Sequence, residues 1–154
     1  MNLTLKTAFT AALIAAGSLM LSPVSLAGDT RAEALTGIAF EKDAGDKYQH
    51  YEVFAAGSSE PRVGVIFAPK EDIRNFEVLA LTFKDANDNG IFFDEKTLYK
   101  TELLSAGKPL VVKFTFFGSI PNNGIAFEDR NGVRHKYTVS ESGEDGSLVL
   151  NEFK

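Results

Sequence analysis

From Tyr51 onward, apolar residues recur at every second position rather than at every third or fourth. Leu110, Val112, Phe114 and Phe116 fall on one side of an extended chain, and Val111, Lys113, Thr115 and Phe117 on the other. Val133, His135, Tyr137 and Val139 alternate with Arg134, Lys136 and Thr138. Val63, Val65 and Phe67 make a further set, as do Leu79, Leu81 and Phe83. Shorter sets are Tyr51 with Val53, Ile125 with Phe127, and Leu148 with Leu150. Strand side chains project alternately to opposite faces, so this period of two predicts strands. Phenylalanine and β-branched residues dominate the runs, and both suit a pleated, half-buried surface. No long segment after Gly28 carries the 3.6-residue apolar period of an amphipathic helix. Thr97 to Leu104 fits either a strand or a short helix. Pro69 to Asn75 predicts one helical turn, with Pro69, Glu71 and Asp72 at its start.

Turn residues separate the runs. Asn131-Gly132 lies between two alternating segments and predicts a two-residue hairpin. Asn89-Gly90 and Ala44-Gly45-Asp46 read as further turns, and Ser105 to Pro109 and Ser142 to Gly146 as loops. The count is about eight to ten short strands at regular spacing, the pattern of a sandwich or barrel. The expected fold is all-β, an immunoglobulin-like antiparallel β-sandwich. The closing Asn-Gly hairpin and a last strand ending at Phe153 resemble the final strands of such domains. With no Cys and no Trp, the chain lacks the disulfide and buried Trp of antibody-type domains.

One short echo runs through the chain. Gly37-Ile38-Ala39-Phe40-Glu41 returns at Gly124-Ile125-Ala126-Phe127-Glu128. Each copy is followed by a Gly-containing turn and a Tyr-x-Val, at Tyr51-Glu52-Val53 and Tyr137-Thr138-Val139. Two related hairpins would give this pattern. So would alternating strands drawn from few residue types.

The N-terminal pattern differs from the rest. Lys6 is the only charged side chain before Asp29, and an apolar run from Ala8 to Leu21 is broken only by Thr10, Gly17 and Ser18. Ser22-Pro23 follows, and Ser25 and Ala27 place small side chains at the third and first positions before Gly28. A basic start, an apolar stretch of roughly 14 residues and a small-x-small site make a secretory signal peptide. The run is shorter than the roughly 20 residues that span a bilayer. Residues 1–27 are therefore expected to be cleaved, leaving residues 28–154 as one domain. Gly28 to Leu35 reads as a leader before the first strand. Without cysteine no cysteine-borne lipid anchor is expected, and there is no thiol chemistry and no disulfide. These features point to a bacterial exported protein, periplasmic or secreted.

Charge narrows the partners. Cleavage takes away one lysine and no acid, moving the formal net charge from −5 to −6. An acidic surface with no Lys/Arg run is a poor match for nucleic acid or, after signal removal, for anionic membrane.

The one chemically suggestive motif lies at Asp85 to Glu95. Asp85, Asn87 and Asn89 occupy positions 1, 3 and 5 of a calcium-loop pattern, with Gly90 at 6. Alternate oxygen donors wrap a hard cation, and the glycine permits the sharp turn. The Ile91 carbonyl would stand at position 7, and Asp94 or Glu95 would close the shell. Position 12 is Lys96 where an acid is required, so this is no EF-hand. The expectation is a calcium loop joining two strands and stabilising the fold. An Asp/Asn-rich turn with no metal accounts for the same residues.

Other chemistry is sparse. His50 and His135 are the only histidines, and both read as strand residues. No G-x-S-x-G is present. Asp94 with Glu95, or Glu144 with Asp145, could form a carboxylate pair of the glycosidase kind, although charged loop clusters are usually solvated surface. Of the pairs Phe92-Phe93 and Phe116-Phe117, one member each should face the core. The leading expectation is an exported, non-enzymatic interaction module that binds a protein or carbohydrate through loops or an edge strand. A hydrolase or inhibitor acting through loop carboxylates and a structural surface component are the alternatives, with the ligand and the oligomeric state left open.

Overall fold

The computed structural model describes residues 38–44, 47–48, 51–58, 60–88 and 90–154. The expected signal peptide and leader, the turn at Gly45-Asp46, His50 and Asn89 lie outside the described residues. Strands fill most of the rest: β1 (Ala39–Phe40), β2 (Glu52–Ala55), β3 (Val63–Phe67), β4 (Ile73–Asn87), β5 (Gly90–Leu104), β6 (Leu110–Phe114), β7 (Asn123–Glu128), β8 (Arg134–Glu141) and β9 (Leu148–Glu152). One short helix, α1 (Glu41–Ala44), follows β1. The strands make two sheets, of order β1-β3-β6-β2 and β5-β4-β7-β8-β9. The sheets pack face to face as an all-β sandwich, and the immunoglobulin-like resemblance holds at that level. All pairings are antiparallel except β2 with β6. β4 and β5, at 15 residues each, are far longer than the short strands the turn spacing suggested.

The inward faces interlock as the alternation requires. Val65 and Phe67 of β3 and Val112 and Phe114 of β6 meet Phe76, Val78, Ile125, Phe127, Tyr137, Val139, Leu148 and Leu150 of the larger sheet. Phe67 touches both Phe76 and Phe114, with ring centroids 5.4 and 6.3 Å apart. Burying each such side chain contributes about 1.5–3 kcal/mol. Two irregularities keep the faces in phase. Asn75, at φ 48°, sits where the β4–β7 register shifts, so Ile73 and Phe76 both turn inward. Asparagine tolerates this left-handed backbone better than most residues, and its Nδ2 donates to Glu128 Oε2 at 2.8 Å. A second shift leaves Leu98 of β5 without an opposite residue, so Leu98 and Tyr99 both pack against the core.

Small clusters cover both outer faces. Ile66, Ala68 and Val111 of the smaller sheet pack under Ala44 and Tyr48. Beside them Glu41 is ion-paired to Lys113 over Gly64, where a Cβ would collide with both side chains. On the larger sheet, Leu79, Leu81, Phe93 and Ala126 pack with Phe153, the residue after β9.

Several local expectations are corrected. No helical turn forms between Pro69 and Asn75. Asp72 Oδ1 instead accepts the N–H of Ala106 at 2.7 Å, Glu71 faces Arg130, and the buried Ile73 already begins β4. Thr97 to Leu104 is strand. The β7–β8 hairpin turns at Asn131-Gly132, but its loop is closed by Asp129 and Val133 rather than being two residues long. Gly132 takes φ 75°, as a three-residue loop with a left-handed last position requires. Val133 is accordingly exposed instead of joining the buried face of β8. The echoed segments do not form equivalent hairpins. β7 pairs with β8, whereas β1 leads into α1 and lies at the opposite edge of its sheet from β2.

Candidate functional site

The feature that departs furthest from a compact sandwich is the β4–β5 hairpin. β4 pairs with β7 only over Arg74–Ala80, but with β5 as far as Asn87 opposite Gly90. At Leu81 the backbone N–H donates to Asn122 O at 2.9 Å. Beyond it the two strands project past the sheet as a ribbon. An isolated two-stranded hairpin is marginal in water, so its root must be held. Leu81 and Phe93 bury against Phe153, and Lys136 Nζ meets Glu95 Oε1 at 2.7 Å.

Most of the expected calcium donors lie on this ribbon, spread along it. Asp85 stands opposite Phe92 and its Oδ1 accepts the N–H of Ala86 at 2.9 Å. Asn87 is opposite Gly90 at the tip, and Ile91 is opposite Ala86. Asn89 falls outside the described residues. Asp94 is opposite Thr82 and ion-paired with Lys84 at 3.2 Å, and Glu95 is opposite Leu81 and ion-paired with Lys136. Asp94 lies two residues from the partner of Asp85, about 7 Å along the strand at 3.3–3.4 Å per residue. Asp94 and Glu95, being adjacent strand residues, point to opposite faces. Among the described residues, no group of three or more His, Asp or Glu side chains comes together as a metal site would require. Thermal unfolding with excess EDTA and then with millimolar calcium tests the loop. A rise of several degrees that Asp85→Ala abolishes would put a cation at the tip, by mass action on the folded state.

Several other acids hold turns or partners. Asp145 Oδ1 accepts the N–H of Ser147 at 3.0 Å. That bond, with the hydroxyls of Ser147 and Ser142, keeps its carboxyl below the usual aspartate range. Glu144 sits in the same exposed turn, its N–H donating to Ser142 Oγ. His135 is buried against Phe127 and Tyr137, with Asp129 Oδ2 3.2 Å from Nε2 and Glu152 Oε1 3.7 Å from Nδ1. The two carboxylates meet opposite ring nitrogens, so they share no point at which a metal could take all three. Asp129 also accepts the N–H groups of Val133 and Asn131, and the Val133 bond leads in holding its carboxyl low. This clasp was signalled only by an Asp two residues before Asn-Gly.

Loop 115–122 adjoins the ribbon root, because Asn123 pairs with Ala80 and Asn122 receives Leu81. Phe116 folds back on the core, with its ring stacked 5.8 Å from Phe114, while Phe117 is 64% exposed and Ile120 is exposed. Gly118, at φ 74°, allows the loop to turn between them. The loop and Ser140, Glu141 and Gly143 border a shallow cavity of about 430 Å³. No family model matches the chain, and neither a curated protein nor a solved structure matches it.

Proposed function

We propose that the protein is an exported, non-enzymatic interaction module that binds another protein with the β4–β5 ribbon and the adjoining loop 115–122. The observation that carries this reading is the placement of exposed apolar groups. Of the eight large apolar side chains exposed among the described residues, Phe83, Ile91, Phe117 and Ile120 lie at this one end. Apolar side chains on projecting elements mark interaction surfaces when they cluster. The ribbon also has strand edges that no neighbour covers, those of β5 up to Glu95 and of β4 beyond Leu81, where a partner strand could add. Lys84, Asp94, Glu95 and Lys96 guard those edges against indiscriminate pairing. Asp94, Glu95 and Asp145 are engaged in ion pairs and a turn cap, which favours binding over catalysis. The leader pattern and the absence of cysteine support action outside the cytoplasm.

In-cell photocrosslinking tests the reading. A photoreactive residue at position 83 or 117 is expected to give one and the same protein adduct. At Val133, exposed at the opposite end of the sandwich, it is expected to give none. Adducts equally strong from position 133, or no adduct from 83 and 117, would move the partner surface away from this end.

A further inference from the structure

A second site lies on the flank of the sandwich, independent of the ribbon. β2 and β5 are the free edges of the two sheets on the same side, and between them runs a cleft of about 520 Å³. Its volume falls within the range of small-ligand sites. Leu104 and Leu110, both buried, form its apolar floor. Tyr51 and Tyr99 supply phenol rings from the two edges, and Glu52, Thr101, Ser105 and Lys108 supply polar groups around them.

We propose that this cleft binds a neutral sugar, a mono- or disaccharide, with its apolar face against the tyrosines and its hydroxyl edge toward Glu52 and Lys108. Both rings are held in place. The Tyr51 hydroxyl donates to Glu41 Oε1 at 3.1 Å, and Glu41 is in turn ion-paired to Lys113. The Tyr99 ring packs on Phe54 with centroids 5.0 Å apart. Burial, then the charge and hydrogen bond of Glu52, raise the Tyr99 hydroxyl above the usual tyrosine value. A fixed aromatic with a polar tip gives large contact area at little conformational cost. One acid and one base border the cleft, so its charges balance and select against an ionic ligand. A long acyl chain would leave the polar groups unsatisfied, and these would then carry a desolvation cost. A pyranose, apolar on its C–H face and rich in hydroxyls at its edge, matches both halves of the lining.

The test is a ¹⁵N–¹H NMR titration of the purified protein with cellobiose, maltose and chitobiose, each to about 10 mM, enough to fill most of a millimolar site. The chain has four tyrosines and no tryptophan, so tyrosine emission gives a parallel readout. At least one of these sugars is expected to shift the amides of Tyr51, Glu52, Tyr99, Thr101 and Lys108 together. Tyr51→Ala and Glu52→Gln, both at exposed positions, are expected to weaken that binding about tenfold or more, a loss of about 1.4 kcal/mol, with the melting temperature unchanged. The proposal is overturned if none of the three sugars moves those amides, if the shifts fall on the ribbon end, or if both variants bind as the parent does. Because the cleft and the ribbon share no residues, failure here leaves the crosslinking result standing on its own.

Discussion

Phe153→Ala is expected to cost about 3 kcal/mol of folding free energy, at the lower end of the range for a buried phenylalanine cut back to alanine. Phe153 is buried although it lies beyond the last strand. Its ring stands edge-on to Phe93 at 5.3 Å, and Lys136 Nζ lies 5.0 Å above it. Its N–H donates to Lys136 O at 3.1 Å, which fixes the chain over the outer face of the sheet. The loss is large against a total stability of about 5–15 kcal/mol for a typical domain. It should also be unevenly distributed. Phe153, Leu79, Leu81 and Phe93 together hold the root of the β4–β5 ribbon, so the ribbon amides should exchange faster while those of β7 and β8 change little. Urea unfolding gives the first quantity and native-state hydrogen exchange the second. Phe153→Leu, which keeps most of the apolar volume, should recover more than half of the loss. A cost below about 1 kcal/mol, with ribbon exchange unchanged, would show that the ribbon stands without this contact.

The outer-face cluster shows where the sequence pattern was sufficient and where it was not. The alternation in Leu110 to Phe114 and in His135 to Val139 predicted the strands, and in each the larger apolar set faces the main core. Leu79, Leu81 and Phe83 alternate just as strictly, yet they point away from the main core. Their strand already presents Phe76 and Val78 inward, and a period of two cannot tell which face is inside. The bulges at Asn75 and Leu98 depend on partner strands distant in sequence, so no local signal marks them. The same limit applies to the acids. Asp and Asn suit turns and calcium loops alike, and only the register reveals that Asp94 and Glu95 pair with Lys84 and Lys136. The flank cleft was beyond reach for a similar reason. Tyr51 and Tyr99 become neighbours only because β2 and β5 end on the same side of different sheets.

The second large effect is expected at Glu77, where Glu77→Gln should cost about 2 kcal/mol at neutral pH, less than the 3–5 kcal/mol of breaking a fully buried ion pair. The Glu77 side chain is only 10% exposed on the outer face of β4, with Lys100 Nζ 3.1 Å from Oε1 and Arg134 Nη2 2.8 Å from Oε2. Arg134 reaches it from β8 across β7, where Ala126, the residue opposite Glu77, leaves room. The amide keeps the shape and loses the charge. The two cations are themselves 41–52% exposed and regain water, which is why the cost falls below that of a buried pair. Burial alone would raise the Glu77 carboxyl, but the hydrogen bonds and charges of Arg134 and Lys100 outweigh it and hold the group below its ordinary value of 4.5. A carboxyl lowered in the folded state contributes its full stabilisation above the unfolded value and loses it as pH falls through the folded one. The urea midpoint of the parent should therefore drop as pH is lowered from about 5 toward 3, and the drop should be shallower in Glu77→Gln. Some acid sensitivity should survive in the variant, because Asp129, Asp145 and Glu41 are also held low by their partners. Parallel curves for parent and variant across that range would mean that the charge of Glu77 adds nothing to the fold. The triad would then be a surface arrangement rather than a tie joining β4, β5 and β8.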